Sequence, residues 1–279
     1  MHSISGKTIL ITGAAMGMGK LCAHRAADEN AGAIVLWDVN EPALKATSND
    51  LRQRGANVYS DVVDLFSLGA ILPAAAKVRS DVGDVDILIN NAGVVRGKYF
   101  WEHDHVADIQ ATMSINAMAP MHLARAFLPA MISNRREARI VNIASAAGLL
   151  SNPKMSVYCA SKWAVVGWSD SLRLELEQAG HNHVRVTTVC PSYISTGMFE
   201  GAKAPLLTPI LKPEVVVDRV WKSMKGGRPF LTMPWMVRQA MWLRGVLPLR
   251  AWDFVADKVF GAYRSMDEFT GRGKATDIS

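Results

Sequence analysis

The sequence predicts an α/β fold in which seven mostly parallel strands form one doubly wound sheet with helices on both faces. Short apolar runs alternate with helical segments of a dozen residues or more, which is the pattern of βαβ units. The runs are apolar throughout, so both faces of the sheet are expected to be covered. Because the chain contains no internal repeat, low-complexity segment or linker, we expect a single domain.

The predicted elements follow from where the apolar runs begin and end. The first run, KTILIT, is rich in β-branched residues and stops at a glycine; the second, GAIVLWD, stops at an aspartate. The later runs have the same character, although PFLTM is the shortest. The predicted strands are 7–12, 32–38, 57–64, 86–93, 138–145, 184–191 and 229–233. The predicted helices are 17–29, 41–54, 67–82, 104–133, 156–179 and 213–225. We assign 1–233 to this sheet domain and 234–279 to a helical C-terminal extension of it.

Composition limits the functions open to the chain. Its 279 residues, 49% apolar and 20% charged, suit one large folded domain and argue against disorder. The net charge of +6 is not grouped into runs, and the first 230 residues contain no basic cluster with interleaved aromatic residues, so no nucleic-acid partner is predicted. Neither a disulfide framework nor a metal site is predicted, because the three cysteines are far apart and form no CxxC pair: Cys22, Cys159 and Cys190.

Cysteine usage also bears on location. Three cysteines with no pairing pattern fit a reducing compartment, so the cytoplasm is the expected location. The first residues lack the apolar core of a signal peptide, and no stretch reaches the about 18 apolar residues that a membrane span needs.

A glycine-rich segment, TGAAMGMG at 12–19, follows the first predicted strand and opens the first helix. Gly13 permits a tight turn, while Gly17 and Gly19 have no Cβ to hold a phosphate or a backbone at a distance. The free N–H groups and the positive dipole of the helix start favour a pyrophosphate. A turn with tight helix–strand packing is the alternative interpretation, but the position at the first strand–helix junction favours dinucleotide binding.

Asp38 ends the second predicted strand, 19 residues after Gly19. A carboxylate at this place can accept hydrogen bonds from both hydroxyls of an adenosine ribose and would repel a 2′-phosphate. No Arg or Lys occurs at 14–18 or 39–40 to neutralise such a phosphate. NAD is therefore predicted in preference to NADP, and a strand-end cap is the alternative role of Asp38.

Tyr158 and Lys162, in YCASK, stand four positions apart on a predicted helix and so lie on one face. A nearby ammonium favours the phenolate, so we expect Lys162 to lower the pKa of Tyr158 and make it a proton donor and acceptor. A half-buried Tyr beside a solvated Lys is the alternative for an isolated pair. Ser145 ends the fifth strand at the same sheet edge, where it can bond a substrate oxygen. Asn116 lies in the long helical stretch, where its amide could hold a water or bend the helix.

With these residues the sequence resembles the short-chain dehydrogenase/reductase superfamily over roughly 5–230. The matching motifs, in order, are TGAAMGMG, NNAG at 90–93, Asn116, Ser145, YCASK and PSYIST at 191–196. The resemblance implies a Rossmann-type fold and a catalytic set in which Tyr158 is the acid/base. Lys162 would also bind the nicotinamide ribose, Ser145 would orient the substrate oxygen, and Asn116 would hold a water that links Lys162 to a proton relay.

The resemblance also implies the cofactor site. Asp64 and Leu65 would contact adenine, NNAG would form a wall with Asn90 near the adenosine, and Thr196 would bond the nicotinamide carboxamide. The implied cofactor-binding residues are Gly13, Gly17, Met18, Gly19, Asp38, Asp64, Leu65, Asn91, Ala92, Gly93, Tyr158, Lys162, Pro191, Ile194 and Thr196. One position departs from the family, because Ser192 follows Pro191 where a glycine is usual. A backbone with positive φ there would be strained.

The last part of the chain bears on the substrate. The segment after Pro191, about 192–212, would be the substrate lid of the family, and its apolar residues suggest an apolar substrate: Leu206, Leu207, Ile210 and Leu211. Residues 234–263 interleave tryptophans with arginines. They either pack on the substrate cleft or a partner subunit, or lie peripherally on a membrane interface. This tail resembles the branch that acts on steroids, retinoids and other lipophilic alcohols.

Together these features predict an NAD-dependent oxidoreductase that interconverts a secondary or lipophilic alcohol and its carbonyl. An NADPH-linked reductase of acyl-type ketones is one alternative. A non-catalytic nucleotide-binding protein on the same fold is another, although such a protein has no need of the full Asn–Ser–Tyr–Lys set. The resemblance further implies a homodimer or a homotetramer.

Overall fold

The computed structural model describes residues 1–206 and 208–271. Leu207 of the predicted lid and the last part of the predicted extension, 272–279, lie outside the described residues. Seven parallel strands form one sheet in the order β3-β2-β1-β4-β5-β6-β7. The strands are β1 Thr8–Thr12, β2 Ala33–Asp38, β3 Val58–Val62, β4 Ile87–Asn90, β5 Ala138–Ile143, β6 Val184–Pro191 and β7 Phe230–Met233. The predicted doubly wound sheet is confirmed, including its last strand, β7.

Helices cover both faces of this sheet. The α-helices are α1 Gly17–Asp28, α2 Glu41–Gln53, α3 Leu68–Asp81, α4 Ala111–Met113, α5 Ala119–Ser133, α6 Ser156–Gln178, α7 Pro213–Gly226, α8 Trp235–Val246 and α9 Leu249–Phe254. Local signals fix several ends. The Asn40 side chain accepts from the Ala43 N–H at the start of α2, and Gly227 ends α7 in the left-handed conformation at φ 66°.

Alternate residues of each strand pack on opposite sides of the sheet. On β1, Ile9 and Ile11 contact the core under α1 and α7, whereas Leu10 contacts the core under α3, α5 and α6. All three side chains are fully buried. Leu10 pairs with Val35 on β2 and Leu88 on β4, so the centre of the sheet is apolar on both faces, as the unbroken apolar runs predict.

The long helix predicted over 104–133 is interrupted. Turns of π-helix occupy His105–Gln110 and Ser114–Met118, on either side of the short α4. The second of these contains Asn116, whose side chain bonds sideways to the backbone of Val94. A helix that widens where a side chain is held by another segment is a usual origin of such turns, and they often occur at functional sites.

The described part of the chain, 1–206 and 208–271, contains no helix that combines the length and hydropathy needed to cross a bilayer.

Candidate active site

The carboxyl ends of the strands open into a cavity of about 330 Å³. It lies where the strand order reverses between β1 and β4, the place where doubly wound sheets bind nucleotides. The predicted cofactor residues line it with the exception of Gly19: Gly13, Gly17, Met18, Asp38, Asp64, Leu65, Asn91, Ala92, Gly93, Tyr158, Lys162, Pro191, Ile194 and Thr196. The structure therefore brings residues from the first strand–helix turn to the lid into one cleft.

Gly19 lies beneath the glycine loop rather than in the cleft. A Cβ on Gly19 would meet the Gly13 carbonyl oxygen at 2.0 Å, so the helix can start this close to β1 only without a side chain. Gly13 itself has φ 63°, and a Cβ there would lie 2.9 Å from the Ala92 Cα. These glycines shape a cradle at the start of α1, and the free N–H groups of a helix start suit a pyrophosphate.

The glycine loop gives a direct stability test. Gly19→Ala is expected to lower the free energy of unfolding by about 2 kcal/mol or more, because the added methyl group displaces backbone rather than a flexible side chain. The matched control is Gly167→Ala in α6, where an added Cβ meets nothing within 4 Å. That control is expected to stabilise the protein by about 0.5 kcal/mol. Denaturant unfolding of both variants measures this difference, and equal midpoints would contradict the role assigned to Gly19.

The NNAG segment supports the loop from the side of β4. The Thr12 hydroxyl accepts from the N–H groups of Asn91 and Ala92, both at 3.1 Å, and the Asn91 amide donates to the carbonyls of Thr12 and Gly13. Asn90 differs from its expected place near the adenosine. Its side chain is buried in the sheet and donates to Asn142 Oδ1 at 2.7 Å, because β5 presents an amide opposite it.

Asp38 is held at the rim of the cleft with its carboxylate fixed. One oxygen accepts from the Ala15 N–H at 2.9 Å and the other from the Asn40 N–H at 3.0 Å. Each oxygen keeps lone pairs for a further donor, so the group can also accept from a pair of vicinal hydroxyls. Among the described residues that line the cleft, Lys162 is the only basic side chain, and it lies at the other end from Asp38.

Ser145, Tyr158 and Lys162 meet where β5, α6 and β6 converge. The three are almost fully buried, with 8%, 4% and 4% of their surfaces exposed. The Lys162 Nζ donates to the Ile143 carbonyl at 2.9 Å and lies 5.7 Å from the centre of the Tyr158 ring. The Ser145 hydroxyl accepts from the Ala147 N–H at 3.1 Å and is near enough to the Tyr158 hydroxyl to lower the pKa of that phenol. The predicted pair is thus a buried cluster and not a surface helix face.

The predicted direction of the Tyr158 pKa is wrong. Burial raises the pKa of this phenol, and the Ser145 hydroxyl opposes the rise only in part. Burial also lowers the pKa of Lys162, to about 8. Desolvation disfavours both charged forms, and it exceeds the attraction that the Tyr–Lys spacing predicts. At neutral pH the protein therefore presents Tyr158 as a proton donor.

Asn116 stands behind the cleft and not in its lining. Its Oδ1 accepts from the Val94 N–H at 2.8 Å, and its Nδ2 donates to the Val94 carbonyl at 2.9 Å and to Ser161 Oγ at 3.1 Å. A Cβ on Gly93 would lie 3.2 Å from Asn116 Oδ1 and 3.6 Å from Lys162 Nζ. Asn116 thus fixes the chain beside Lys162, and its predicted water relay stays a prediction.

Sequence reasoning missed one packing residue. A Cβ on Gly148 would meet the Lys162 carbonyl at 2.7 Å, so this glycine lets the turn after Ser145 pack on α6. Because the contact joins segments that are separate in sequence, only the glycine itself, three residues after Ser145, could have indicated it.

A second, mainly apolar cavity of about 220 Å³ adjoins the first, and the two share Ser145, Ser192 and Phe199. The lid and the extension form its walls, including Met236, Val237, Ala240, Leu243, Trp252 and Phe260. A molecule in the apolar cavity can therefore place one atom against Ser145, at the opening to the cavity that Tyr158 lines, while the rest remains among apolar side chains.

Backbone contacts join the two ends of the lid, and the lid also contacts the glycine loop. Leu211 forms a parallel bridge with Ile194, and its N–H donates to the Tyr193 carbonyl at 2.8 Å. A Cβ on Gly17 would meet the Thr196 side chain at 3.5 Å. The departure at Ser192 causes no strain, because the positive φ angles of non-glycine residues in the described ranges fall at Asn30, Arg135 and Lys154.

Comparison with known proteins agrees with this site. The sequence pattern of the short chain dehydrogenase family matches residues 7–206. The chain belongs to the short-chain dehydrogenase family. This dehydrogenase is 37% identical over 278 residues to epidermal retinol dehydrogenase 2 of Mus musculus, an alignment that covers 98% of this chain and 88% of that protein. It is 36% identical over 249 residues to estradiol 17-beta-dehydrogenase 11 of Macaca fascicularis, covering 89% of this chain and 81% of that one.

A solved structure shares the fold of this dehydrogenase. It is a short chain dehydrogenase/reductase from Burkholderia phymatum in complex with NAD, with a TM-score of 0.80 and 30% identity. The match covers 88% of this chain and 95% of that chain.

Proposed function

We propose that this dehydrogenase uses NAD to oxidise a secondary or lipophilic alcohol of the steroid or retinoid type, or to reduce the corresponding carbonyl. The observation that carries the proposal is that the two cavities join at Ser145, while Tyr158 lines the first of them. One cavity has the polar features of a dinucleotide site and the other has apolar walls. The curated relatives are named for retinol and estradiol, which are apolar alcohols of this description.

The residues of the first cavity fit NAD. The glycine cradle would hold a pyrophosphate, and Asp38 would accept hydrogen bonds from the ribose hydroxyls. When bound, the nicotinamide supplies the hydride chemistry. This chain's own groups then act on the substrate oxygen: Tyr158 gives its proton to a carbonyl oxygen or takes one from an alcohol, and Ser145 holds that oxygen by a hydrogen bond. Lys162 keeps a positive charge near the phenol and favours the phenolate in the alcohol-oxidising direction.

An alcohol panel tests the proposed function. Estradiol, retinol and short secondary alcohols are each incubated with the protein and NAD, and NADH is followed by its absorbance. We expect kcat/KM to rise with the apolar size of the alcohol, because a larger alcohol buries more apolar surface in the second cavity. Activity limited to short polar alcohols, or absent with every alcohol, would contradict the assignment.

The preference for NAD over NADP rests on Asp38 and has its own test. Asp38→Asn with Val39→Arg is expected to lower kcat/KM for NAD by about tenfold or more and to raise it for NADP, because the first change removes the repulsive carboxylate and the second adds a cation beside it. Val39 is 61% exposed and lines the cleft, so the arginine can reach a 2′-phosphate. Val39→Gln is the uncharged control. An unchanged NAD/NADP ratio would show that Asp38 does not select the cofactor.

We also propose that the protein works as a homodimer or a homotetramer at the cytoplasmic location that its cysteine usage indicates. Support for the assembly comes from the family resemblance alone. Size-exclusion chromatography with light scattering measures it, and a monomer at micromolar concentration would contradict the proposal.

A further inference from the structure

Helix α8 presents apolar side chains on two opposite sides. Its inner side lines the apolar cavity through Val237, Ala240 and Leu243. Its outer side is exposed, with Trp235 at 68% and Trp242 at 66%. Two tryptophans seven positions apart lie on one helix face. Trp235, at the start of the helix, also lines the apolar cavity, whereas Trp242 does not. Trp242 is therefore an exposed apolar side chain that takes no part in the cavity.

The exposed face continues beyond the helix. Val246 is 61% exposed and Leu249, at the start of α9, is 68% exposed. Leu249 lines a shallow cleft together with Trp163 of α6, which is itself 43% exposed. We call the outer residues of this region the docking surface: Trp235, Arg238, Trp242, Val246, Leu249 and Arg250.

The docking surface is positively charged. Residues 235–250 contain three arginines and no acidic residue. Arg238 and Arg250 are exposed and form no ion pair with the described residues. Arg244 turns inward, where it lies 5.3 Å from the centre of the Trp163 ring and donates to the Leu149 carbonyl.

The nearest acidic residues along the chain are already engaged. Asp257 pairs with Lys258 and Arg264, and Asp253 accepts a hydrogen bond from Tyr263 at 2.6 Å. Asp253 is the one carboxylate on α8 or α9, and no ion pair among the described residues joins Arg238 or Arg250 to a carboxylate.

We propose that the docking surface binds a lipid bilayer that contains anionic phospholipids, with α8 lying in the plane of the interface. Tryptophan, with an apolar ring and one polar N–H, prefers this boundary, and exposed arginines are attracted to anionic headgroups. A second copy of the chain is a poorer partner. Symmetric contact would set the same cationic surface against itself, with no acidic residue in 235–250 to compensate.

The position of α8 gives this binding a consequence for substrate access. The helix separates the docking surface from the apolar cavity, so a lipophilic alcohol dissolved in the bilayer would lie one helix width from the cavity. This consequence rests on the proposed function, whereas the lipid binding itself does not.

Vesicle sedimentation tests the docking surface. The full chain, without substrate or cofactor, is mixed with phosphatidylcholine vesicles or with phosphatidylcholine–phosphatidylserine vesicles, and the pelleted fraction is measured. We expect binding to the anionic vesicles that weakens with added salt. Trp242→Ala is expected to lower the partition coefficient by about tenfold, and Arg238→Gln with Arg250→Gln to remove the preference for anionic lipid. Neither Trp242 nor the two arginines line the apolar cavity.

The matched control is Trp101→Ala, since Trp101 is 78% exposed but lies in the loop after β4. Its binding should equal that of the wild type, and circular dichroism verifies that each variant is folded. Wild-type protein that stays in the supernatant with anionic vesicles would overturn the proposal. So would equal binding by Trp242→Ala, or light scattering that shows a dimer lost in Trp242→Ala without any vesicle binding. Because activity is not measured, failure here is distinguishable from failure of the proposed function.

Discussion

Tyr158→Phe is expected to reduce kcat by about a thousandfold or more while NAD still binds, because the substitution removes one oxygen and keeps the ring. Tyr158 lines the first cavity beside Ser145, the residue at which that cavity joins the apolar one. The phenol is a proton donor at neutral pH, since burial raises its pKa. Without it, the charge that develops on the substrate oxygen is met by Ser145 alone.

The control for this experiment is a second phenol of the same region. Tyr193 lines the apolar cavity, and its hydroxyl hydrogen-bonds Ser265 Oγ at 2.8 Å, away from Ser145. Tyr193→Phe is expected to change kcat by less than about tenfold. Steady-state kinetics by NADH absorbance and NAD binding by calorimetry measure both effects. Full activity in Tyr158→Phe, or equal losses in the two variants, would remove Tyr158 from its proposed acid/base role.

Much of the site could be predicted because local sequence sets its chemistry. The loop at 12–19 needs glycine where a Cβ would meet backbone at 2.0 Å or where the chain must take a positive φ. The sequence shows these requirements directly, because they select glycine. Asp38 follows from the end of a strand, and the Tyr–Lys pair follows from helical spacing. Parallel strands then carry these residues to one edge of the sheet.

What could not be predicted depends on contacts between segments distant in sequence. The rise in the Tyr158 pKa results from burial, to which the C-terminal residues Met266 and Phe269 contribute by packing in the same apolar cluster. No residue near YCASK indicates that Met266 and Phe269 pack in the same cluster as Tyr158. The π-helical turns around Asn116 likewise depend on its bonds to Val94, 22 residues earlier. Spacing identifies which groups act together, whereas their protonation depends on what covers them.

Lys162→Met is expected to raise the free energy of unfolding by about 2 kcal/mol at pH 7 while turnover is lost. Burial lowers the pKa of Lys162 from 10.5 to about 8, so the charged form is less favourable in the folded protein by about 3 kcal/mol. Replacement by an apolar side chain of similar length removes this cost. About 1 kcal/mol of this gain in stability is lost again, because the Ile143 carbonyl loses the donor that lies 2.9 Å away in the wild type.

The difference in stability between Lys162→Met and the wild type depends on pH, and its direction follows from the lowered pKa of Lys162. Below about pH 8 the lysine is protonated in both the folded and the unfolded chain, so the whole cost of the buried charge is present. Between about 8 and 10.5 the folded protein has released the proton and the unfolded chain still holds it, so wild-type stability rises relative to Lys162→Met. Urea unfolding at pH 7, 8, 9 and 10 measures the difference between the two proteins, and Lys222→Met, at a side chain 74% exposed, should show almost none. A Lys162→Met variant less stable than the wild type at pH 7, with a difference that does not change with pH, would mean that the ammonium is not held at a cost, and the site would have to obtain its positive charge elsewhere.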